Sequence, residues 1–147
     1  MTSLSLAEKN REIAEAFMAG VHSNNVEHFS IIDKVVAPNV KCHGFPGGNP
    51  TDPESYKNWF FGFRESFSNL EFENTAVIVD ETAVAVRWVV SCDHTGPFAG
   101  VDATHKRVTF DGIVIYRIEA ELISEVWLQI NELLLLSQVG AIGQAAA

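Results

Sequence analysis

At Leu70 the chain changes its period. Before it, apolar residues recur three and four positions apart; after it, they alternate with polar ones for most of the remaining length. A chain built as helices first and alternating strands afterward lacks the interleaving that a parallel βαβ sheet needs, so it reads as α+β, with helices on one face of a curved antiparallel sheet. The strand segments are Leu70–Val79, Ala83–Asp93, Arg107–Ile118 and Leu122–Asn131, with turns at Asp80-Glu81-Thr82 and Glu119-Ala120-Glu121. They form a four-stranded meander, and Asn39–His43 is a candidate fifth strand.

Three helices precede this sheet. Ser5 and Glu8 have the spacing of a capping box, and Ile13, Ala14, Phe17, Met18 and Val21 carry an apolar stripe to the end of the first helix. Ser23-Asn24-Asn25 breaks it and caps a second helix over Val26–Val36, with Val26, Phe29, Ile32 and Val36 inward and Pro38 as its stop. After the Gly44–Pro50 loop, Asp52 and Pro53 start a third helix whose Tyr56, Trp59, Phe60, Phe63 and Phe67 make an aromatic wall. Glu132–Gln138 predicts a short leucine-rich helix stopped near Gly140, and Gly143–Ala147 a frayed tail.

Composition narrows the classes of function. The 147 residues are about one domain's worth of chain, ordered over about residues 5–140, and enough to bury a core without disulfide or metal staples. A net charge of −9 with no Lys/Arg cluster opposes nucleic acid and anionic membranes, and no apolar run approaches the roughly 20 residues of a bilayer span. The N-terminus lacks a basic n-region and a long apolar h-region, so the expected location is cytoplasmic, with Cys42 and Cys92 reduced and buried. The five histidines and two cysteines have no metal-ligand spacing, and no glycine-rich phosphate loop is present. Neither metal nor cofactor is expected.

Several local motifs occur together in order: Ala37-Pro38-Asn39-Val40 with His43-Gly44, Phe63–Leu70, Val84-Ala85-Val86-Arg87-Trp88, His94-Thr95-Gly96-Pro97-Phe98-Ala99-Gly100, Lys106-Arg107-Val108, Ile115-Tyr116-Arg117 and Gln138-Val139-Gly140. With them the chain, over about Leu6–Gly140, resembles the SnoaL-like polyketide cyclases of the nuclear transport factor 2-like superfamily, which also holds ketosteroid isomerase. The His-Thr-Gly-x-Phe-x-Gly stretch is the most specific of these motifs. The resemblance implies a cone-shaped α+β barrel, usually dimeric, holding a small hydrophobic molecule. It also implies cofactor-free ring closure by aldol condensation with a pocket Asp as acid and base. On this chain that Asp falls on Leu128, its supporting His or Asp on Val114, and a further acidic site on Asn131. All three are neutral.

Strand parity places Leu128 and Val114 on one face with Val126, Ile130, Phe110, Tyr116, Trp88, Val90, Cys92 and His94, an apolar set. Arg87, Ser91, Asp93, Thr109, Asp111, Arg117, Glu125 and Gln129 fall on the other. That outer face also carries Val89, Ile113, Ile115 and Trp127, which predicts a homodimer across it. The candidate ligand-binding residues are Trp59, Phe63, Trp88, Cys92, Phe110, Val114 and Leu128.

With the acids replaced, His43 and His94 are the candidate bases, since an imidazole titrating near neutrality can take a proton α to a carbonyl. Tyr116 is the candidate donor to the resulting oxyanion. Each has a bland alternative: a hydrogen-bonded loop histidine for His43, a fixed Thr95-Gly96 turn for His94, and packing for Tyr116. Cys92, beside Asp93, is poorly placed electrostatically to be a nucleophile. The leading expectation is a small hydrophobic carbonyl compound bound and enolised in a cone-shaped cavity. The other is a noncatalytic dimeric protein that holds a hydrophobic ligand in the same cavity.

Overall fold

The computed structural model describes residues 4–143. Its elements are α1 (Leu6–Val21), a 3-10 turn (Val26–Ser30), α2 (Ile31–Val35), β1 (Val36–His43) and α3 (Pro53–Ser66), followed by β2 (Phe67–Val79), β3 (Ala83–His94), β4 (Arg107–Glu119), β5 (Leu122–Ile130) and α4 (Glu132–Val139). The five strands form one sheet in the order β1-β5-β4-β3-β2. Every neighbouring pair is antiparallel except β1 with β5, so the fold is α+β with N-terminal helices on a mostly antiparallel sheet. Of the expected frayed tail, residues 144–147 lie outside the described residues.

The capping box at the start of α1 forms as the sequence predicts: Glu8 N–H donates to Ser5 Oγ at 3.1 Å and Ser5 N–H to Glu8 Oε2 at 3.3 Å. Ala14, Phe17, Met18 and Val21 are buried along its inner stripe. The second helix is different from the expectation. Instead of one helix over Val26–Val36, a 3-10 turn passes into a single turn of α2, and Val36 already pairs with Ile123 of β5. The β-branched run Val35-Val36 gains more from the sheet edge than from a further helical turn. Pro38 therefore stops no helix; it sits within β1, an edge strand, where a missing N–H is tolerated. Val26, expected inside, is 41% exposed.

The boundary between α3 and β2 also moves. Phe67 does not end the aromatic wall of α3 but opens β2, which starts there rather than at Leu70, so helix passes into strand without a loop. The Phe67 ring still stacks on Phe63 at 4.8 Å, which keeps it in the same aromatic layer. β2 departs from regular register between Ser68 and Glu71 and between Asn74 and Ala76, and β4–β5 between Arg117 and Ile118. Such irregularities let a sheet bend around a core.

The alternation holds along β3 and β4 and from Val126 onward in β5. Val84, Val86, Trp88, Val90, Cys92 and His94 of β3, Val108, Phe110, Val114, Tyr116 and Ile118 of β4, and Val126 and Leu128 of β5 are buried against the helices. Opposite them lie in-chain ion pairs: Arg87 with Asp111 at 3.1 Å, and Arg107 with Glu71 at 2.6 Å and with Asp93 at 3.2 Å. No helix among the described residues is long and apolar enough to cross a membrane.

Gly112 is the position where the inner face has no side chain, and Trp88 of β3, its cross-strand partner, uses the space. A Cβ there would collide with the Trp88 ring and with the Gln129 carbonyl, one side chain and one backbone atom that cannot both retreat. Gly112→Ala should therefore lower stability by about 3 kcal/mol, at the upper end of overpacking costs. Chemical denaturation measures this, and the fluorescence of Trp88 should change with it.

Candidate functional site

The inner faces of the sheet and the helices do not close completely. Between them lies a cavity of about 60 Å³, lined by sixteen residues of which nine are Phe, Tyr, Trp or His. α3 contributes Tyr56, Trp59, Phe60 and Phe63; the sheet contributes Leu70, Trp88, Val90, Phe110, Val114, Tyr116, Leu128 and Ile130; Met18 and Val21 of α1, with His22 just after it, close the end. Phe45, from the Gly44–Pro50 loop, is the remaining wall. Gly44 makes this turn possible at φ +82°, with its α-carbon so close to the Leu128 carbonyl that any Cβ would clash.

A second, larger space of about 300 Å³ adjoins the first, and Trp59, Phe63, Phe110 and Ile130 line both. It lies between α3 and α4, with Pro46, Gly47, Leu135 and Leu136 among its walls, and Glu132 is the carboxylate at its edge. Trp59 is fixed in the partition by an indole N–H bond to the Pro46 carbonyl at 3.0 Å and by parallel stacking on Phe63.

Of the residues singled out in the sequence, Trp59, Phe63, Trp88, Phe110, Val114, Leu128 and Tyr116 all line the inner cavity. Cys92 is fully buried but lines neither space, and burial raises its thiol to about 12, as it does for Cys42. His43 lies on the opposite side of the sheet. Its side chain is 48% exposed, its Nε2 is 2.7 Å from Glu125 Oε2, and its ring stacks on Trp127.

His94 is 0% exposed and also lines neither space. The Thr104 backbone N–H donates to its Nδ1 at 3.2 Å, and the Thr104 hydroxyl is 2.9 Å from the same nitrogen. Nδ1 is thus an acceptor, the ring proton sits on Nε2, and that N–H has no partner among the described residues. With backbone bonds to Lys106 and His105, His94 fastens the segment between β3 and β4.

The histidine that does reach the cavity is one the sequence reading passed over. His22 is the residue after α1, and its Nδ1 lies 2.7 Å from the Met18 carbonyl. A carbonyl only accepts, so the proton is on Nδ1 and Nε2 keeps its lone pair. The ring stacks on Phe72 at 4.8 Å and is flanked by Phe60 and Trp88. Burial among these rings, with a smaller contribution from the Arg64 charge, lowers its pKa to about 4 against the opposing hydrogen bond to Met18. His22 is neutral at pH 7.

Met18 serves two polar neighbours, since its carbonyl takes the His22 proton and its sulfur lies 2.8 Å from the Tyr116 hydroxyl. A thioether is a weak acceptor, so the phenol can exchange it for a better one. Burial raises the pKa of both Tyr116 and Tyr56 well above the usual phenol value, which keeps both protonated as donors. Among the described residues no Asp or Glu lines the inner cavity. Among the described residues no cluster of three or more His, Cys, Asp or Glu could hold a metal ion.

A sequence profile of the SnoaL-like polyketide cyclases matches residues 12–139. The chain belongs to that family. Among solved structures, AclR of Streptomyces galilaeus is 25% identical, with a TM-score of 0.76 over 93% of this chain and 86% of that one. A protein of Jannaschia sp. CCS1 assigned to the SnoaL-like polyketide cyclases superposes with a TM-score of 0.85 at 15% identity, covering 97% and 99% of the two chains. A SnoaL-like polyketide cyclase of Agrobacterium tumefaciens gives 0.69 at 23% identity, covering 87% and 98%. No protein of curated function matches the chain.

The depressed His22 pKa has a consequence for stability. The unfolded ring, near 6.5, binds a proton that the folded ring refuses until about pH 4, so stability is complete above about 6.5 and declines as pH falls toward 4. The loss attributable to this group should reach at most about 3 kcal/mol. It should appear as the difference between native and His22→Phe protein in denaturation midpoints measured from pH 7 to pH 4, because Phe keeps the stacking surface and removes the titration.

Proposed function

We propose that this SnoaL-like protein binds a small hydrophobic carbonyl compound in the inner cavity and enolises it without metal or organic cofactor, as a cyclase or isomerase would. The observation that carries this reading is the composition of the wall: apolar and aromatic throughout, with an imidazole and two phenols as its titratable groups. A flat apolar ligand would gain most of its affinity from Trp59, Phe63, Trp88 and Phe110. A phenol O–H would orient its oxygen.

The absence of a carboxylate from that wall favours the second reading, a noncatalytic protein that holds the same kind of ligand. The two readings share the binding step and separate on chemistry. Titration of 2-tetralone into a Trp127→Phe variant, which leaves Trp59 and Trp88 as reporters, should quench fluorescence saturably; mass spectrometry under gentle conditions should find one ligand per chain. A linear, unsaturated response would remove both readings.

The outer face supports a further proposal, a homodimer. Ile113 is 51% exposed and Ile115 39% on a face that no helix of the same chain covers, and Trp127 and Val89 are half-buried beside them. Sedimentation at tens of micromolar should give about twice the 16.2 kDa of one chain. Ile113→Arg with Ile115→Arg should return it to one. A native protein that sediments as a single chain would count against the dimer and leave the cavity readings untouched.

A further inference from the structure

We propose that Nε2 of His22 is the proton acceptor of the inner cavity, taking the hydrogen α to the carbonyl of a bound ketone. The inference rests on the reading that the cavity binds a hydrophobic carbonyl compound.

The geometry leaves few alternatives. His43 is on the far side of the sheet, paired with Glu125. His94 lines neither cavity, and its Nδ1 is already an acceptor for Thr104. Glu132 lines only the second space, between α3 and α4, and not the inner cavity. Among the described residues His22 alone combines a place in the inner wall with a basic nitrogen that no other group occupies, and the Nδ1–H bond to Met18 fixes both which nitrogen that is and how the ring is turned. The groups beside it are the Arg64 guanidinium and the rings of Phe60, Phe72 and Trp88, while the phenols of Tyr56 and Tyr116 line the same cavity.

The step balances within the site. The α C–H electron pair becomes the enolate C=C bond, the carbonyl π pair moves to oxygen, and the proton passes to Nε2. The same proton, or one exchanged with solvent, then returns to carbon. At about 4, the imidazole matches an ordinary carboxylate, about 3.9–4.3, in proton affinity. It differs in charge. A neutral base and a neutral ketone create an imidazolium and an enolate together, and the enolate oxygen needs a donor; Tyr116, whose hydroxyl is held only by the Met18 sulfur, supplies it.

The test is α-hydrogen exchange of 2-tetralone in deuterium oxide, followed by mass spectrometry against buffer alone, with binding measured in parallel by fluorescence. The native protein should accelerate exchange at a rate flat from about pH 6 to 8 and falling as pH drops through about 4, the form of a base that must be neutral. His22→Phe should retain 2-tetralone binding within a few-fold and lose about 10²-fold or more in exchange. Imidazole ¹⁵N spectra of the native protein should show the Nδ1–H form of His22 with a midpoint near 4, an observation that needs no variant. Three results would overturn the inference: binding without any acceleration, a rate that rises through pH 6–7 and disappears in His43→Ala or His94→Ala, or a rate lost in Glu132→Gln but kept in His22→Phe. Absence of binding would instead sink the underlying reading of the cavity.

Discussion

The turn that follows α1 is held from two sides, and the position of His22 in the inner cavity depends on it. Arg64 of α3 donates from Nη2 to the carbonyls of Val21 at 3.0 Å and Ser23 at 2.7 Å, the two that bracket His22, while its guanidinium lies over the Phe29 ring. These carbonyls are at the negative end of the α1 dipole, where a cation is favoured. Asn24 then exchanges two hydrogen bonds with the backbone of Leu70 on β2. Helix, helix and sheet are thereby fixed to one another at one point, and the His22 ring inherits its orientation from that point. No carboxylate neutralises Arg64 among the described residues, so the carbonyl contacts and the aromatic face carry the whole cost of its partial burial, which also lowers its pKa.

The sheet was legible because parity is a strong signal in strands with one buried face: a shift of one residue would have put Trp88, Phe110 and Tyr116 into solvent. The Val26–Val36 segment was not. Val26, Phe29, Ile32 and Val36 fit a helical stripe, and nothing local reveals that Val36 finds a partner 87 residues later in Ile123. Phe67 was misread for a related reason, since an aromatic eleven residues after Tyr56 lies on the same side whether the backbone is still helical or has just become extended.

The candidate site divides in the same way. Its apolar wall followed from strand parity and the aromatic spacing of α3, whereas its polar groups did not. His43 lies at a strand end beside a loop, where periodicity gives no side, and the β1–β5 register, which sets Lys41 opposite Glu125 and His43 opposite Trp127, turns it outward. His94 was placed on the inner face correctly, but Thr104, ten residues on, takes up its Nδ1. His22 was available to the helical argument: it follows Met18 by four residues, so extending the α1 stripe one step would have put it inside. The Ser23-Asn24-Asn25 break concealed this by marking the end of the helix just where the wall of the cavity begins.

Val114 and Leu128, the two neutral positions where the family resemblance expects ionisable groups, are directly opposite each other in the β4–β5 register. They share one patch of wall and face the same space as His22. An acid introduced at one would have the other directly across from it, so the two form a single unit of redesign. Exchanging this one cross-strand pair would put a carboxylate into the same wall as the His22 imidazole while leaving the helices, the loop and the partition where they are.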